Sequence, residues 1–429
     1  MTRTIAAFRA GQWRTSLDTE ELPGGLGGLR LALVPEIVAD ADRQRWAARA
    51  PALPAPDPAE RRELVLRAVE LFRHGTVTVG GLGAQSAESF RTALWETAGV
   101  PAPLTVRWGA MLRASAADRP VPDADDALAL VALPGNTFTC LDSVLDQAER
   151  SAAVWVRPSR REPLSAARLI GALLAVGWPP ERLGLYPTAR RALPGLILRT
   201  DRQIVYGGSG LAASVRDRPS LTLHGPGRGC ALVPAGLPVA EAVDWLLPLI
   251  AADAGRFCRN VRTVVCEGDP GPLAAALATA LDAVGPGRAD AEWPLTVFRE
   301  PRAAERAVAS VTAGLGPGDR LLTRGPATVA HPDGGVYALP RLVLIGAGEG
   351  EGGGEGEGEG EGEGGGEGGG EGGPAAHRPE HHPLVGHEVP FPFAAVLRAG
   401  KRTADAVADA SLFVYRAPDR KEHEAAHDH

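Results

Sequence analysis

From residue 127 to residue 206, short apolar runs alternate with helical stretches, and that order leaves few folds open. Ala127-Leu128-Ala129-Leu130-Val131-Ala132-Leu133 is continuously apolar and is stopped by Pro134-Gly135-Asn136. A run this short, ended by turn residues, reads as a strand buried on both faces. A helix over 141–150, a strand at 152–156, a helix over 164–176 and strands at 183–186 and 203–206 complete the pattern. The last of these ends in Gly207-Gly208-Ser209-Gly210. The β-α-β-α-β order predicts a parallel sheet covered by helices, the doubly wound α/β class. Ligands of such sheets gather at the carboxyl ends of the strands. Upstream, 58–72 has the apolar spacing and acidic start of an amphipathic helix, and 86–97 predicts a second one.

A second α/β unit is predicted from 220 to about 385, with strands at 230–233, 262–266, 295–298 and 341–345. Helices over 240–252 and 272–283 separate the first three strands. Gly and Glu alternate from 346 to 373, a composition that buries no apolar surface and repels itself, so a solvated, disordered loop is expected there. That tract holds nine glutamates; setting them aside turns the formal charge of −7 into +2 for the rest of the chain. His377, His381, His382 and His387 follow without cysteine or a helical frame, and read as a solvated turn rather than a metal site. His423, His427 and His429 in the tail read the same way. The predicted division is 1–219 for N-terminal helices and a nucleotide-binding domain, 220–385 for a catalytic domain, and 386–429 for a return to the first domain and a C-terminal arm.

Composition excludes several classes. No apolar run approaches the roughly 20 residues of a membrane span, and Met1-Thr2-Arg3-Thr4 does not open a secretory signal, so a cytoplasmic protein is expected. Arginines are scattered and form no basic stripe interleaved with aromatics, which argues against a nucleic-acid surface. The four cysteines, Cys140, Cys230, Cys258 and Cys266, form no CxxC pair, and a disulfide framework is not expected. Cys230 and Cys266 lie in apolar runs and read as buried thiols. Cys258 differs, because it follows a short Gly turn, Ala254-Gly255-Arg256-Phe257, and precedes a β-rich run.

This stretch resembles the catalytic cysteine segment of the aldehyde dehydrogenase superfamily, and four further segments match in order and approximate spacing. Leu133-Pro134-Gly135-Asn136-Thr137-Phe138 resembles the family turn whose asparagine amide faces the substrate carbonyl. The resemblance implies that Asn136 and the Cys258 backbone N–H hold the oxyanion formed when a thiolate attacks. Val154-Trp155-Val156-Arg157-Pro158-Ser159-Arg160 resembles the segment that holds the adenosine ribose, with Arg157 and Ser159 as cofactor contacts. Arg160 stands where NAD-preferring members often carry a glutamate; a guanidinium can clamp a 2′-phosphate, so NADP(H) is expected, with NAD possible. Ile204-Val205-Tyr206-Gly207-Gly208-Ser209 resembles the turn beside the cofactor pyrophosphate, which assigns Gly208 and Ser209. Gly386-His387-Glu388-Val389-Pro390-Phe391 resembles the late segment in which Glu388 would hold the nicotinamide ribose and Phe391 would pack beside the ring.

The resemblance implies an aldehyde dehydrogenase-like fold: two doubly wound, Rossmann-like parallel-sheet domains with a small β oligomerisation extension, in a homo-oligomer. One departure stands out. The family's general-base glutamate precedes a Leu-Gly-Gly segment, and in Leu221-Thr222-Leu223-His224-Gly225 the aligned position is Thr222. Without a base to activate water, an acyl-enzyme persists for another acceptor. This is similar to the acylating branch, notably the acyl-CoA reductases related to the fatty acid reductase of bacterial luminescence. The expected activity is reduction of an acyl-CoA or acyl-carrier thioester to an aldehyde by NADPH through a Cys258 acyl-enzyme, with an acyl-activating partner enzyme where a free acid is the starting point. His224 is a candidate acid or base. Two alternatives remain: an NAD(P)-dependent dehydrogenase oxidising an aldehyde to an acid, and a degenerate, non-catalytic member.

Overall fold

The computed structural model describes residues 3–22, 28–53, 57–207, 219–286, 292–346 and 379–417. These divide into two compact units. The first comprises Met1–Pro226, Gly285–Arg306 and Thr328–Ala338; the second comprises Gly227–Val284, Ala307–Ala327 and Leu339–His429.

The first unit is built on a seven-stranded sheet, ordered Leu221–His224, Arg202–Tyr206, Leu128–Ala132, Ala153–Arg157, Leu183–Leu185, Ala7–Arg9 and Gln12–Arg14. The first five strands run parallel, and the two N-terminal strands close the far edge antiparallel. Leu128–Ala132 is buried at every residue, as a central strand covered on both faces must be. Helices Leu141–Arg150 and Leu164–Ala175 make the crossovers to the next two strands, and the latter is buried at ten of its twelve positions. The chain then returns to the other side of Leu128–Ala132 with Arg202–Tyr206. The strand order therefore reverses between these two strands, and the loops leaving their carboxyl ends flank the switch point at which such sheets bind ligands.

The second unit holds a six-stranded sheet, ordered Arg320–Leu321, Arg341–Leu344, Phe393–Arg398, Val261–Cys266, Gly229–Val233 and Val414–Arg416. All neighbours are parallel except the short edge strand Arg320–Leu321. Val261–Cys266 and Phe393–Arg398 lie side by side in the centre, with every residue buried except Arg398. Helices Val239–Ala251 and Gly271–Asp282 pack together beside them.

Two expectations change. The segment after Gly386, expected to return to the nucleotide-binding domain, instead supplies a central and an edge strand of the second unit, because Phe393–Arg398 is apolar enough to be covered on both faces. The predicted strand at 295–298 shortens to Val297–Phe298 and belongs to the first unit, in a three-stranded antiparallel sheet with Val336–Ala338 and Thr328–Ala330. Its register is fixed by the Val297 N–H, which donates to the Gly99 carbonyl at 2.9 Å, where Gly99 ends helix Ala87–Ala98 in the left-handed region. Gly208, Ser209 and the Gly/Glu tract beyond Gly346 lie outside the described residues. Among the described residues no helix is long and apolar enough to cross a membrane.

Candidate active site

Cys258 sits in the turn just before the central strand Val261–Cys266, at the amino end of the second unit's sheet, and its residue is exposed. The turn is unusual backbone. Asp253 and Ala254 have φ of 57° and 56°, and Gly255 follows at 64°. Left-handed conformation in residues other than glycine costs about 1–3 kcal/mol each and persists only where neighbours enforce it. Here two side chains do so. The Asn260 Oδ1 accepts the Phe257 N–H at 2.8 Å, and its Nδ2 donates to the carbonyls of Leu249 and Ala252, both at 3.1 Å. Arg262, which is 2% exposed, donates to the carbonyls of Gly255, Val389 and Phe391, the last two at 3.0 and 3.1 Å. One buried guanidinium thus straps the Cys258 turn to the segment before Phe393–Arg398. Burial lowers its pKa to about 10, and Glu388 and Cys258 oppose that shift.

Glu388 belongs to the same cluster. Its Oε1 accepts the Gly227 N–H at 2.6 Å and the Arg228 N–H at 3.3 Å. Gly227 in turn lies so close to the Cys258 carbonyl that a Cβ there would come within 1.9 Å of its oxygen. Desolvation pushes the Cys258 thiol above its ordinary pKa, and the Glu388 charge adds to that; Arg259 and local N–H groups pull weakly the other way. The positive charge of Arg259 is therefore outweighed. Arg259 is also turned aside, with its guanidinium 5.0 Å from the Phe257 ring centre and 4.0 Å from Asp253. The Tyr415 hydroxyl, from edge strand Val414–Arg416, donates to the Arg259 carbonyl at 2.9 Å. Phe391 is 2% exposed and its ring is part of the core.

The first unit places Asn136, Arg157, Ser159, Arg160 and His224 on the carboxyl side of its parallel strands. Asn136 lies half-buried in the loop after Leu128–Ala132. That loop is pressed against the next one, since a Cβ on Gly135 would come within 2.5 Å of the Ser159 Oγ. Ser159 is buried, and its Oγ accepts the Arg161 N–H at 3.2 Å. Arg157 ends strand Ala153–Arg157 and donates to Thr188, to Oγ1 at 3.4 Å and to the carbonyl at 3.3 Å. Burial, then the charges of Arg160 and Arg190, lower its pKa to about 10, and Glu20 opposes them. Arg160 meets Glu20 with Nη1 at 2.6 and 2.8 Å from the two carboxylate oxygens. His224 ends the sheet's edge strand, with its ring stacked on Tyr206 at 4.6 Å and 15°. Partial burial lowers its pKa, so the imidazole is neutral near pH 7.

Sequence reasoning missed Asn260, Arg262 and Glu20. The Asn two positions after Cys258 was visible, but nothing in its spacing showed that the side chain would bridge three backbone groups. His381, His382 and His387 do not converge. His382 pairs with Asp319 at 2.9 Å, and the His387 Nε2 meets the Ser310 Oγ at 3.0 Å. Among the described residues no metal-binding group of His, Cys, Asp and Glu is present.

The two doubly wound units, with a cysteine turn at the amino end of the second sheet, make up the aldehyde dehydrogenase fold. A methylmalonate-semialdehyde dehydrogenase from Oceanimonas doudoroffii superposes with a TM-score of 0.73 at 14% identity, covering 100% of this chain and 88% of that one. An NAD-dependent benzaldehyde dehydrogenase from Corynebacterium glutamicum gives 0.71 at 14% identity, with 98% and 91% covered. The NAD+ complex of an aldehyde dehydrogenase from Bacillus cereus gives 0.69 at 14% identity, with 99% and 86% covered. No protein-family profile and no curated protein matches the sequence.

Proposed function

We propose that this chain is a nicotinamide-dinucleotide-dependent oxidoreductase that interconverts an aldehyde and a Cys258 thioester, and that its physiological reaction is reduction of an acyl thioester to the aldehyde. The observation that carries the reading is the exposed Cys258 on a turn held rigid by Asn260 and Arg262, in a fold shared with aldehyde dehydrogenases. A cysteine with no exposed surface would be a packing residue; an exposed residue on strained, strapped backbone, even with its thiol partly desolvated, is placed for reaction.

The first unit suits a dinucleotide. Its strand order reverses beside the Asn136 loop, and the cationic group Arg157, Arg160 and Arg190 lies near the end of the second parallel strand of its nucleotide-binding half. Arg157, Ser159 and Arg160 would hold the adenosine end, and the cofactor would supply hydride transfer to and from the substrate carbon. Cys258 must first lose its proton, because partial desolvation and then the Glu388 charge raise the thiol's pKa. The thiolate then attacks the acyl carbon, and the CoA or carrier thiol leaves with its sulfur electrons. Asn136 is the proposed amide donor for the oxygen that becomes negative. Release of aldehyde returns the electron pair to the Cys258 sulfur.

Preference for a thioester rests on edge strand Leu221–His224, which ends without a carboxylate to activate water. An acyl-activating enzyme would supply the thioester where the free acid is the source. A second reading has one observation in its favour: His224 is exposed, neutral and at the end of that strand, so hydrolytic aldehyde oxidation with His224 as base is the competing outcome.

The test is oxidation of NADH or NADPH with a panel of acyl-CoA thioesters, run beside aldehyde plus NAD or NADP with and without free CoA. Thioester-dependent turnover, lost in Cys258→Ala together with an acyl mass adduct on Cys258, supports the proposal. Aldehyde oxidation that ignores CoA and falls in His224→Ala moves the assignment to the hydrolytic reaction.

A further inference from the structure

Near the carboxyl end of strand Ala153–Arg157, the Arg157 guanidinium feels the charges of Arg160 and Arg190, and the Glu20 carboxylate opposes them. Glu20 is 140 positions from Arg160, yet both its oxygens are within 2.8 Å of Arg160 Nη1. The backbone delivers it there. Glu20 sits opposite Leu31 in the antiparallel pairing of Thr19–Glu21 with Leu29–Ala32. Just beyond, the Leu33 N–H donates to the Asp18 carbonyl at 2.8 Å, and the Val34 N–H donates to the Pro187 carbonyl at 2.7 Å. Pro187 adjoins Thr188, the residue to which Arg157 donates. The carboxylate is thus carried by a hairpin pinned beside the loops that end strands Ala153–Arg157 and Leu183–Leu185.

In doubly wound nucleotide-binding sheets this is the place where an acid accepts the ribose 2′-hydroxyl or an arginine accommodates a 2′-phosphate. Resting on the dinucleotide reading above, we propose that Glu20 is the specificity-determining residue at the 2′ position and makes the free 2′-hydroxyl the preferred form. The local sequence after Arg157 carries arginine where a carboxylate would discriminate, and the N-terminal hairpin restores the carboxylate from a distance. A 2′-phosphate, with a charge of about −2, would have to displace Glu20 from Arg160 or lie against its charge. A 2′-hydroxyl donates to a carboxylate without repulsion, and Arg160 stays paired. The pairing thus argues for the opposite preference to the NADP(H) expected from Arg160 alone.

Calorimetric titration of the intact protein with 5′-AMP and with 2′,5′-ADP tests this without turnover. The wild type is expected to bind 5′-AMP more tightly. Glu20→Gln, close in shape and uncharged, is expected to tighten 2′,5′-ADP roughly tenfold and to weaken 5′-AMP, and Glu20→Gln combined with Arg160→Ala is expected to lose that gain. An unchanged ratio of the two affinities in Glu20→Gln overturns the Glu20 assignment and leaves the dinucleotide reading standing. Absence of binding by both nucleotides in the wild type overturns the two together.

Discussion

The carboxylate of Glu388 accepts the Gly227 backbone N–H at 2.6 Å, joining the start of the second unit to the segment just before its central strand Phe393–Arg398, across 161 positions of sequence. The same charge acts on Cys258, whose thiol it helps to hold in the protonated form. A group expected to hold a ribose is a backbone clamp that also raises the pKa of the Cys258 thiol. Its removal has a definite sign. The folded-state pKa of Cys258 is raised, so thiolate appears only as pH climbs past the ordinary value of about 8.5. Glu388→Gln removes a negative neighbour and lowers that pKa. Alkylation of Cys258 by iodoacetamide at pH 8 should then be several-fold faster than in the wild type, with the pH profile shifted to lower pH. A slower reaction would show instead that Glu388 takes the thiol proton.

Asn260 satisfies three backbone groups with one amide and is one of the two side chains that hold the turn. Replacing it with alanine strands a buried N–H at Phe257 and two carbonyls, at a cost of about 1–3 kcal/mol for a group left unpaired. Urea unfolding should show that loss in midpoint with little change in slope. Activity at Cys258 should fall by more than the folded fraction does, because Asp253 and Ala254 relax from their left-handed conformations once the strap is gone.

Much of the fold was legible because it follows from period and burial. The helix Leu141–Arg150 begins and ends where the sequence predicts, and the strands on either side of it shift by a residue or less. These elements are specified by their own apolar pattern. The candidate site was legible only where a residue type announces chemistry, as at Cys258. The contacts of Glu388 with Gly227, Arg160 with Glu20, and Arg262 with Phe391 span 161, 140 and 129 positions. They depend on which loops the finished sheets bring together, and no local period encodes that. The misplaced strand at 297–298 has the same origin, since a two-residue strand has no pattern of its own and takes its partner from tertiary context.

Gly227 is a crossing point as well as a turn. Its N–H goes to Glu388, its carbonyl accepts the Leu412 N–H at 2.9 Å, and its Cα faces the Cys258 carbonyl. Gly227→Ala would put a methyl group 1.9 Å from that oxygen, and the obstruction is backbone on both sides. The Cys258 turn must move by about an ångström, a displacement that commonly costs on the order of a hundredfold in rate. The expected result is a protein with near-native circular dichroism and a kcat lowered by about that factor, while binding of 5′-AMP, measured calorimetrically, is unchanged.

The flanks of the Gly/Glu tract meet at one carboxylate. Asp319 Oδ1 accepts the Gly346 N–H at 2.9 Å, the last described residue before the tract, and Oδ2 pairs with the His382 Nε2 at 2.9 Å just after it. Oδ2 also accepts the Gly316 N–H at 2.7 Å, and the Asp319 and His382 side chains are 3% and 4% exposed. Gly346 and His382 are therefore both held by the folded unit through Asp319. Loop-closure entropy changes slowly with length, so replacing residues 347–378 with a short Gly/Ser linker should alter the unfolding midpoint little and should, if anything, stabilise the protein. Asp319→Ala leaves a buried imidazole and two backbone donors without their acceptor, and should destabilise the second unit by several kcal/mol. The shortened chain carrying Asp319→Ala should lose as much as the full-length variant. A markedly smaller loss there would mean that Asp319 acts by restraining the tract rather than by completing the buried network around His382.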